Sequence, residues 1–183
     1  MAAPRKDDIK KLIVSTCEQL LENKSFRDIS LSEIGNVAQI SKGTIYYHFK
    51  TKEDMMFAVM DSYLDRQYQE LQVWLQDKNK DTSLPRLAKY VLERNVHGAQ
   101  MRFYFLYEAI SGNVTIKNKL IDRYNKFKSL IASYLDIDDK DALAWSLLFL
   151  SDGLLIQMML ENNDVNDIKY IEDIAREIKK IKV

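Results

Sequence analysis

Six side chains with polar or charged ends crowd into one short stretch: Lys42, Thr44, Tyr46, Tyr47, His48 and Lys52. Their types and spacing are not those of bond-breaking chemistry. With two histidines, His48 and His97, and one cysteine, Cys17, no metal-ligand cluster is recognisable, and there is neither a glycine-rich phosphate loop nor a nucleophile elbow. No catalytic residues, no metal and no cofactor are therefore expected, and the chain does not read as an enzyme. What these side chains can do is donate hydrogen bonds and bring charge to an anionic surface. On the outer faces of a short helix that follows a short turn, they suit the major groove of DNA.

The elements that must position them are readable on either side, in Ser30–Lys52, SLSEIGNVAQISKGTIYYHFKTK. Ser30 with Glu33 three residues on forms a capping box, so a helix should start there. Leu31, Ile34, Val37 and Ala38 give that helix an inward face. Ser41 can cap a second helix, Lys42 to Phe49, whose Ile45 and Phe49 stand one turn apart and point inward. Thr51 with Asp54 starts a third. Lys52 falls in its first turn, where positive charge opposes the helix dipole, and a role on phosphate would account for it.

At these residues the sequence resembles the TetR family of bacterial transcriptional regulators. The family pattern is an Ile-Ala pair, an Ala-Gly-Val-Ser turn, then Lys-Gly-Thr-Leu-Tyr-x-His/Tyr-Phe and a following Lys. It stands here as Ile34-Gly35, Ala38-Gln39-Ile40-Ser41, Lys42-Gly43-Thr44-Ile45-Tyr46-Tyr47-His48-Phe49 and Lys52. The match spans roughly residues 9 to 55, and beyond it the chain shares only length and all-helical patterning. The resemblance implies base contacts from Tyr47, Lys42 and Thr44, and phosphate contacts from Tyr46, His48, Lys52 and the helix start at Ser32, with Gly43 among the DNA-contacting residues. It also implies a cytoplasmic homodimer that binds a palindromic operator in double-stranded DNA and responds to a small molecule, most often as a repressor. Three departures stand out. Gln39 takes the place of the turn glycine, where a positive φ costs on the order of 1 kcal/mol. Ser25 replaces a second glycine, and Thr16-Cys17 replace an Ala pair.

Around this reader the chain patterns as helix throughout. Hydrophobic residues make up 46% and charged residues 30%, with five Gly and two Pro, a composition that favours helices over disorder. Ile9, Leu12, Ile13, Thr16, Cys17, Leu20 and Leu21 mark a first helix over residues 7–23. Arg5 and Lys6 precede it on an arm that is either solvated or touches DNA, and the start, MAAPRKDD, has no apolar run of the signal-peptide kind. The lone Cys17 fits a reducing compartment. Net charge is zero, with residues 1–53 carrying two net positive charges and the remainder two net negative ones. That asymmetry is slight, so the motif carries the DNA reading and the charge does not.

The expected fold class is all-α: a three-helix helix-turn-helix DNA-binding domain over 1–53, then a larger helical ligand-binding and dimerisation domain over 54–183. Met56, Val59, Met60, Tyr63, Leu64 and Leu71 mark a long helix to about Gln76. A polar loop follows over 77–83, then a helix opening near Pro85 and running to about Val96, and a break at His97-Gly98. The aromatic run Met101–Tyr107 is open to two readings. One is a packed core. The other is a pocket for a small lipophilic or aromatic effector, lined by Tyr104, Tyr107, Glu108, Phe127, Trp145, Phe149 and Met158. Glu108 and Asp152 lie in apolar surroundings and need partners, with Arg102, Arg123 and Gln157 as candidates; facing the pocket, either would favour a cationic ligand.

Residues 142–160 are apolar enough to test as a membrane span, but Asp152 at the middle would cost roughly 2.5–3.5 kcal/mol. The run is read instead as a helix buried on one side by its own domain and on the other by a partner subunit, with no membrane involved. A last amphipathic helix, Ile168 to Ile181, supports that reading, and Leu155, Met159, Ile171, Ile174 and Ile178 are the expected dimer contacts. The competing class is a helical protein-interaction adaptor that keeps the fold without binding DNA, with an enzyme behind it.

Overall fold

The computed structural model describes residues 6–77, 83–93, 99–136, 138–164, 173–174 and 176–177. The described residues form helices and connections, with no strand among them. The long helices are α1 Lys6–Leu21, α2 Leu31–Ala38, α3 Lys42–His48, α4 Lys52–Gln76, α5 Leu84–Glu93, α6 Ala99–Ile110, α7 Val114–Ser133 and α8 Lys140–Met159.

Local chemistry sets the helix starts of the reader. Glu33 N–H donates to Ser30 Oγ at 3.1 Å, Thr44 N–H to Ser41 Oγ at 3.0 Å and Asp54 N–H to Thr51 Oγ1 at 2.9 Å. Thr51 and Asp54 complete a reciprocal box, since Thr51 N–H donates back to Asp54 Oδ2 at 3.1 Å. At α2 the carboxylate is claimed by Lys24 in an ion pair, and that hydrogen bond holds the Glu33 carboxyl below its ordinary range. Between α2 and α3 the chain turns through Gln39, which adopts φ 55° and ψ 40°. The left-handed turn expected from the motif is thus made without glycine. Ser25 shows no such strain, and its hydroxyl lies 2.7 Å from Asp28 Oδ2.

Two cores hold the helices. The first gathers Ile13, Cys17, Phe26, Ile34, Ile45 and Phe49 from the reader with Met55, Val59 and Met60 of α4. It continues without a break into Met101 and Phe105 of α6 and Ile116 of α7. The second lies at the far end of α4, where Leu71 and Leu75 meet Leu87, Ile131, Ala144 and Leu147. Thr16 and Cys17 are both buried, and Cys17 Sγ contacts Met55 Sδ at 3.5 Å. The helix α4 runs unbroken through residues 53 and 54, where the two domains were expected to meet.

Several side chains point elsewhere than their periodicity suggests. Val37 is 47% exposed, because Ile34 and Ala38 fill the narrow inward face of α2, and Leu12 likewise reaches solvent. Phe49 is buried but serves as the residue that ends α3, just past His48. On α8, Leu147, Leu148, Ser151, Leu154 and Leu155 pack inward while Phe149, Ile156 and Leu160 face out. The helix is long and apolar enough to cross a membrane, yet its buried face makes it a core helix of this fold. Leu155 is fully buried within its own chain, which removes it from any interface with a second copy. Met159 is partly exposed, and Ile174 packs on Leu154. Ile171, Ile178 and most of the terminal helix lie outside the described residues, as do Arg5, the loop 78–82 and His97-Gly98.

Candidate nucleic-acid interface and internal cavity

The helix α3 is anchored by Ile45, and Phe49 just beyond it is buried too, so Lys42, Gly43, Tyr46 and Tyr47 are left on its exposed faces. Tyr46 and Tyr47 are 52% and 62% exposed, and Lys42 and Gly43 are open as well. The Tyr47 ring stands edge-on to His48, with centroids 5.2 Å apart at 88°. Thr44 is half-buried, its hydroxyl 2.9 Å from Ser41 Oγ. Ser32, in the first turn of α2, is half-buried. Exposed phenols on a fixed helix present donors and apolar edges at little entropic cost, the form that base and phosphate recognition needs.

Lys52 has a structural role that its sequence position did not reveal. Its ammonium donates to the Arg27 carbonyl at 3.2 Å and lies 4.8 Å from the centre of the Phe26 ring. Burial lowers its pKa. These contacts tie the start of α4 to the α1–α2 connection.

That connection is held from the other side by α6. Phe26 packs against Tyr104, with ring centroids 5.7 Å apart, and Tyr104 hydroxyl approaches Met56 Sδ at 3.2 Å. Arg27 lies 5.6 Å from the Tyr107 ring and 3.4 Å from Glu108 Oε1. Tyr104 and Tyr107 thus line a surface groove against the α1–α2 connection, shared with Phe103, Arg27 and Met159. Glu108 finds its partner in Arg27, 81 residues away, which no local pattern suggests.

A separate cavity of about 80 Å³ lies among α4, α5, α6, α7 and α8. Its apolar wall includes Leu64, Leu71, Leu106, Phe127 and Leu148. Polar groups reach it from Tyr63, Gln67, Arg102, Arg123, Tyr124 and Ser151. Of the seven side chains expected to line an effector pocket, Phe127 alone does so here. Trp145 and Phe149 stack on each other at 5.5 Å, Phe149 being 64% exposed, and Met158 is half-buried away from the cavity. Asp152 is not part of the lining either, although both of its partners are. Arg102 Nη2 pairs with Asp152 Oδ1, and Tyr124 hydroxyl donates to Oδ2 at 2.8 Å. Burial is the main cause that pushes the Tyr124 phenol up to about 12. The residues missed from sequence left one signal: Arg123 and Phe127 stand one turn apart on α7, as do Tyr63, Gln67 and Leu71 on α4.

This arrangement, a capped two-helix reader under a helical body with an internal cavity, defines a helix-turn-helix protein. Residues 13–59 match the family of bacterial regulatory proteins known as the tetR family. Over these residues the chain is similar to the TetR family of regulators. It is 35% identical over 65 residues to the HTH-type transcriptional regulator EthR of Mycolicibacterium smegmatis, covering 36% of this chain and 30% of that protein. To the HTH-type transcriptional repressor NemR of Escherichia coli K12 it is 27% identical over 110 residues, 60% of this chain and 52% of that one. The chain therefore spans about a third to a half of the length of these relatives. In fold it is similar over nearly its whole length to the reduced form of E. coli NemR, with a TM-score of 0.78 at 17% identity, covering 96% of this chain and 98% of that one. A putative transcriptional regulator from Saccharomonospora viridis in complex with choline gives 0.77 at 18%, covering 96% and 97%.

Proposed function

We propose that this chain is a ligand-responsive transcriptional repressor that binds a palindromic operator as a homodimer and is released by a small molecule. The observation that carries the reading is α3 itself: two exposed tyrosines beside Lys42 and Gly43, on a helix whose Ile45 anchors it in a core continuous with the rest of the chain. In this reading residues 1–53 are the reader and 54–183 the ligand-binding and dimerisation part, in the cytoplasm beside the DNA. Tyr47, Lys42 and Thr44 read bases; Tyr46, His48, Gly43, Ser32 and Lys52 meet the backbone. The second copy covers the outer face of α8, where Phe149, Ile156, Met159 and Leu160 lie open. Two-fold symmetry then sets the readers about 34–36 Å apart, one turn of DNA.

The release step needs a link from cavity to reader, and α6 supplies a physical one. Arg102 and Leu106 face the cavity, while Tyr104, Tyr107 and Glu108 on the same helix grip the α1–α2 connection. A ligand shifts the balance only by its differential affinity for the two positions of that helix. The test is selection of bound sequences from random duplex DNA with the purified chain. Enrichment of a palindrome with half-sites one turn apart is the expected result; no enrichment from a folded dimer, with and without a compound library, would overturn it.

A further inference from the structure

The lining of the internal cavity is one-sided in charge. Arg102 from α6 and Arg123 from α7 reach it, and among the described residues no Asp or Glu does. Asp152, next to Ser151 of this wall, is engaged at both oxygens by Arg102 and Tyr124. The Arg123 guanidinium is partnered by Asp65 and, at 3.9 Å, by Asp61, neither of which lines the cavity. Gln67 brings a carboxamide to the same wall. A cation entering here finds no carboxylate in the described wall to receive it. An anion meets guanidinium donors whose desolvation is already met by the fold, together with an amide.

Size narrows the class further. A cavity of about 80 Å³ is about half of the ~150 Å³ that takes a benzene ring, so a short branched skeleton fits and neither a ring nor a long acyl chain does. The wall beyond the arginines, Leu71, Phe127, Ile131 and Leu148 among it, is apolar. We propose that the effector is a compact, mainly apolar monoanion, a short carboxylate whose head group is met by Arg102 and Arg123 and whose branched body lies against Phe127 and Leu148. This rests on reading the cavity as the effector site. It replaces the cationic ligand that Glu108 or Asp152 would have favoured.

The test uses the full chain and a panel of compact branched-chain skeletons, each supplied as carboxylate, primary amide and amine, with binding read by calorimetry. Carboxylates should dominate the binders, with the amide of the same skeleton about tenfold weaker or more and the amine silent. In Arg123→Gln, and in the charge-balanced pair Arg102→Gln with Asp152→Asn, the acid-to-amide ratio should collapse toward one while amide affinity is kept. The second variant guards against misfolding from a stranded buried carboxylate. Amides or amines binding as tightly as acids would overturn the anionic class while leaving the cavity as the site. No binder with any head group at millimolar concentration would overturn the cavity reading itself.

Discussion

Replacing Gly35 by alanine sets two effects against each other inside the reader. In a helix interior, alanine is favoured over glycine by about 0.5–1 kcal/mol, so propensity alone would make the variant more stable. The tertiary contact points the other way. A Cβ on Gly35 would stand 2.7 Å from the Ile40 carbonyl oxygen. Ordinary contact begins at 3.4 Å, and the atom in the way is backbone in the turn that Gln39 shapes. The turn cannot swing aside freely, because Ile40 N–H donates to Gly35 oxygen at 2.9 Å. Crowding of this kind costs about 1–3 kcal/mol, so the net expectation is a loss of about 1 kcal/mol. Because the same turn fixes the angle of α3 on α2, DNA affinity should fall further than the stability loss alone would bring. Urea unfolding followed by circular dichroism measures the first, and anisotropy of a labelled operator duplex the second. A variant as stable as the parent, or more so, would refute the close approach.

Gly43→Ala is the complementary case: a Cβ there meets only Ser41 Oγ, at 3.6 Å. Stability should stay level or rise by up to about 1 kcal/mol while duplex affinity falls, and unchanged affinity would take Gly43 out of the interface. Tyr124→Phe strips the donor from Asp152 Oδ2 and should cost about 1–2 kcal/mol in calorimetric unfolding. High pH probes several groups at once. Burial is the leading cause holding Cys17, Tyr90, Tyr104 and Tyr124 up at about 12, from ordinary values of 9.0 for the thiol and 10.0 for the phenols. The folded chain keeps protons that the unfolded chain would release. This stability is therefore complete below about pH 9 and is lost as pH rises toward 12, so the urea midpoint should drop steadily from about pH 9 to about pH 12. A flat profile would show that these groups are not desolvated as described.

What the sequence disclosed was local. Ser30, Ser41 and Thr51 each sit beside the helix they cap, and the signal lies within three residues. The inward pair Ile45 and Phe49 was equally plain. Orientation failed where a face is narrow or uniform. Only Ile34 and Ala38 of the expected apolar face of α2 are fully enclosed with Gly35, leaving Val37 outside. The helix α8 is apolar nearly all round, so nothing in its pattern tells the buried Leu155 from the open Phe149. The cavity was harder still. Its wall is assembled from helices α4 to α8, and its polar members are arginines and tyrosines that read individually as surface residues. The aromatic run divides between core, in Met101 and Phe105, and a surface groove against the reader, in Tyr104 and Tyr107.

The continuity of α4 carries a mechanical consequence. Its 25 residues make a rod of about 37 Å at 1.5 Å per residue, seated in the reader's core through Met55, Met56 and Val59 and lining the cavity with Tyr63, Gln67 and Leu71. A rod of that length is a lever. From Gln67 at the cavity to Lys52 the arm is about 22 Å, so a tilt of about 5° there carries the reader's end about 2 Å, more than half the rise of one base pair. An effector need not unfold or unseat anything to put a pair of readers out of step with a two-part site; a rotation smaller than the scatter among packed helices is enough.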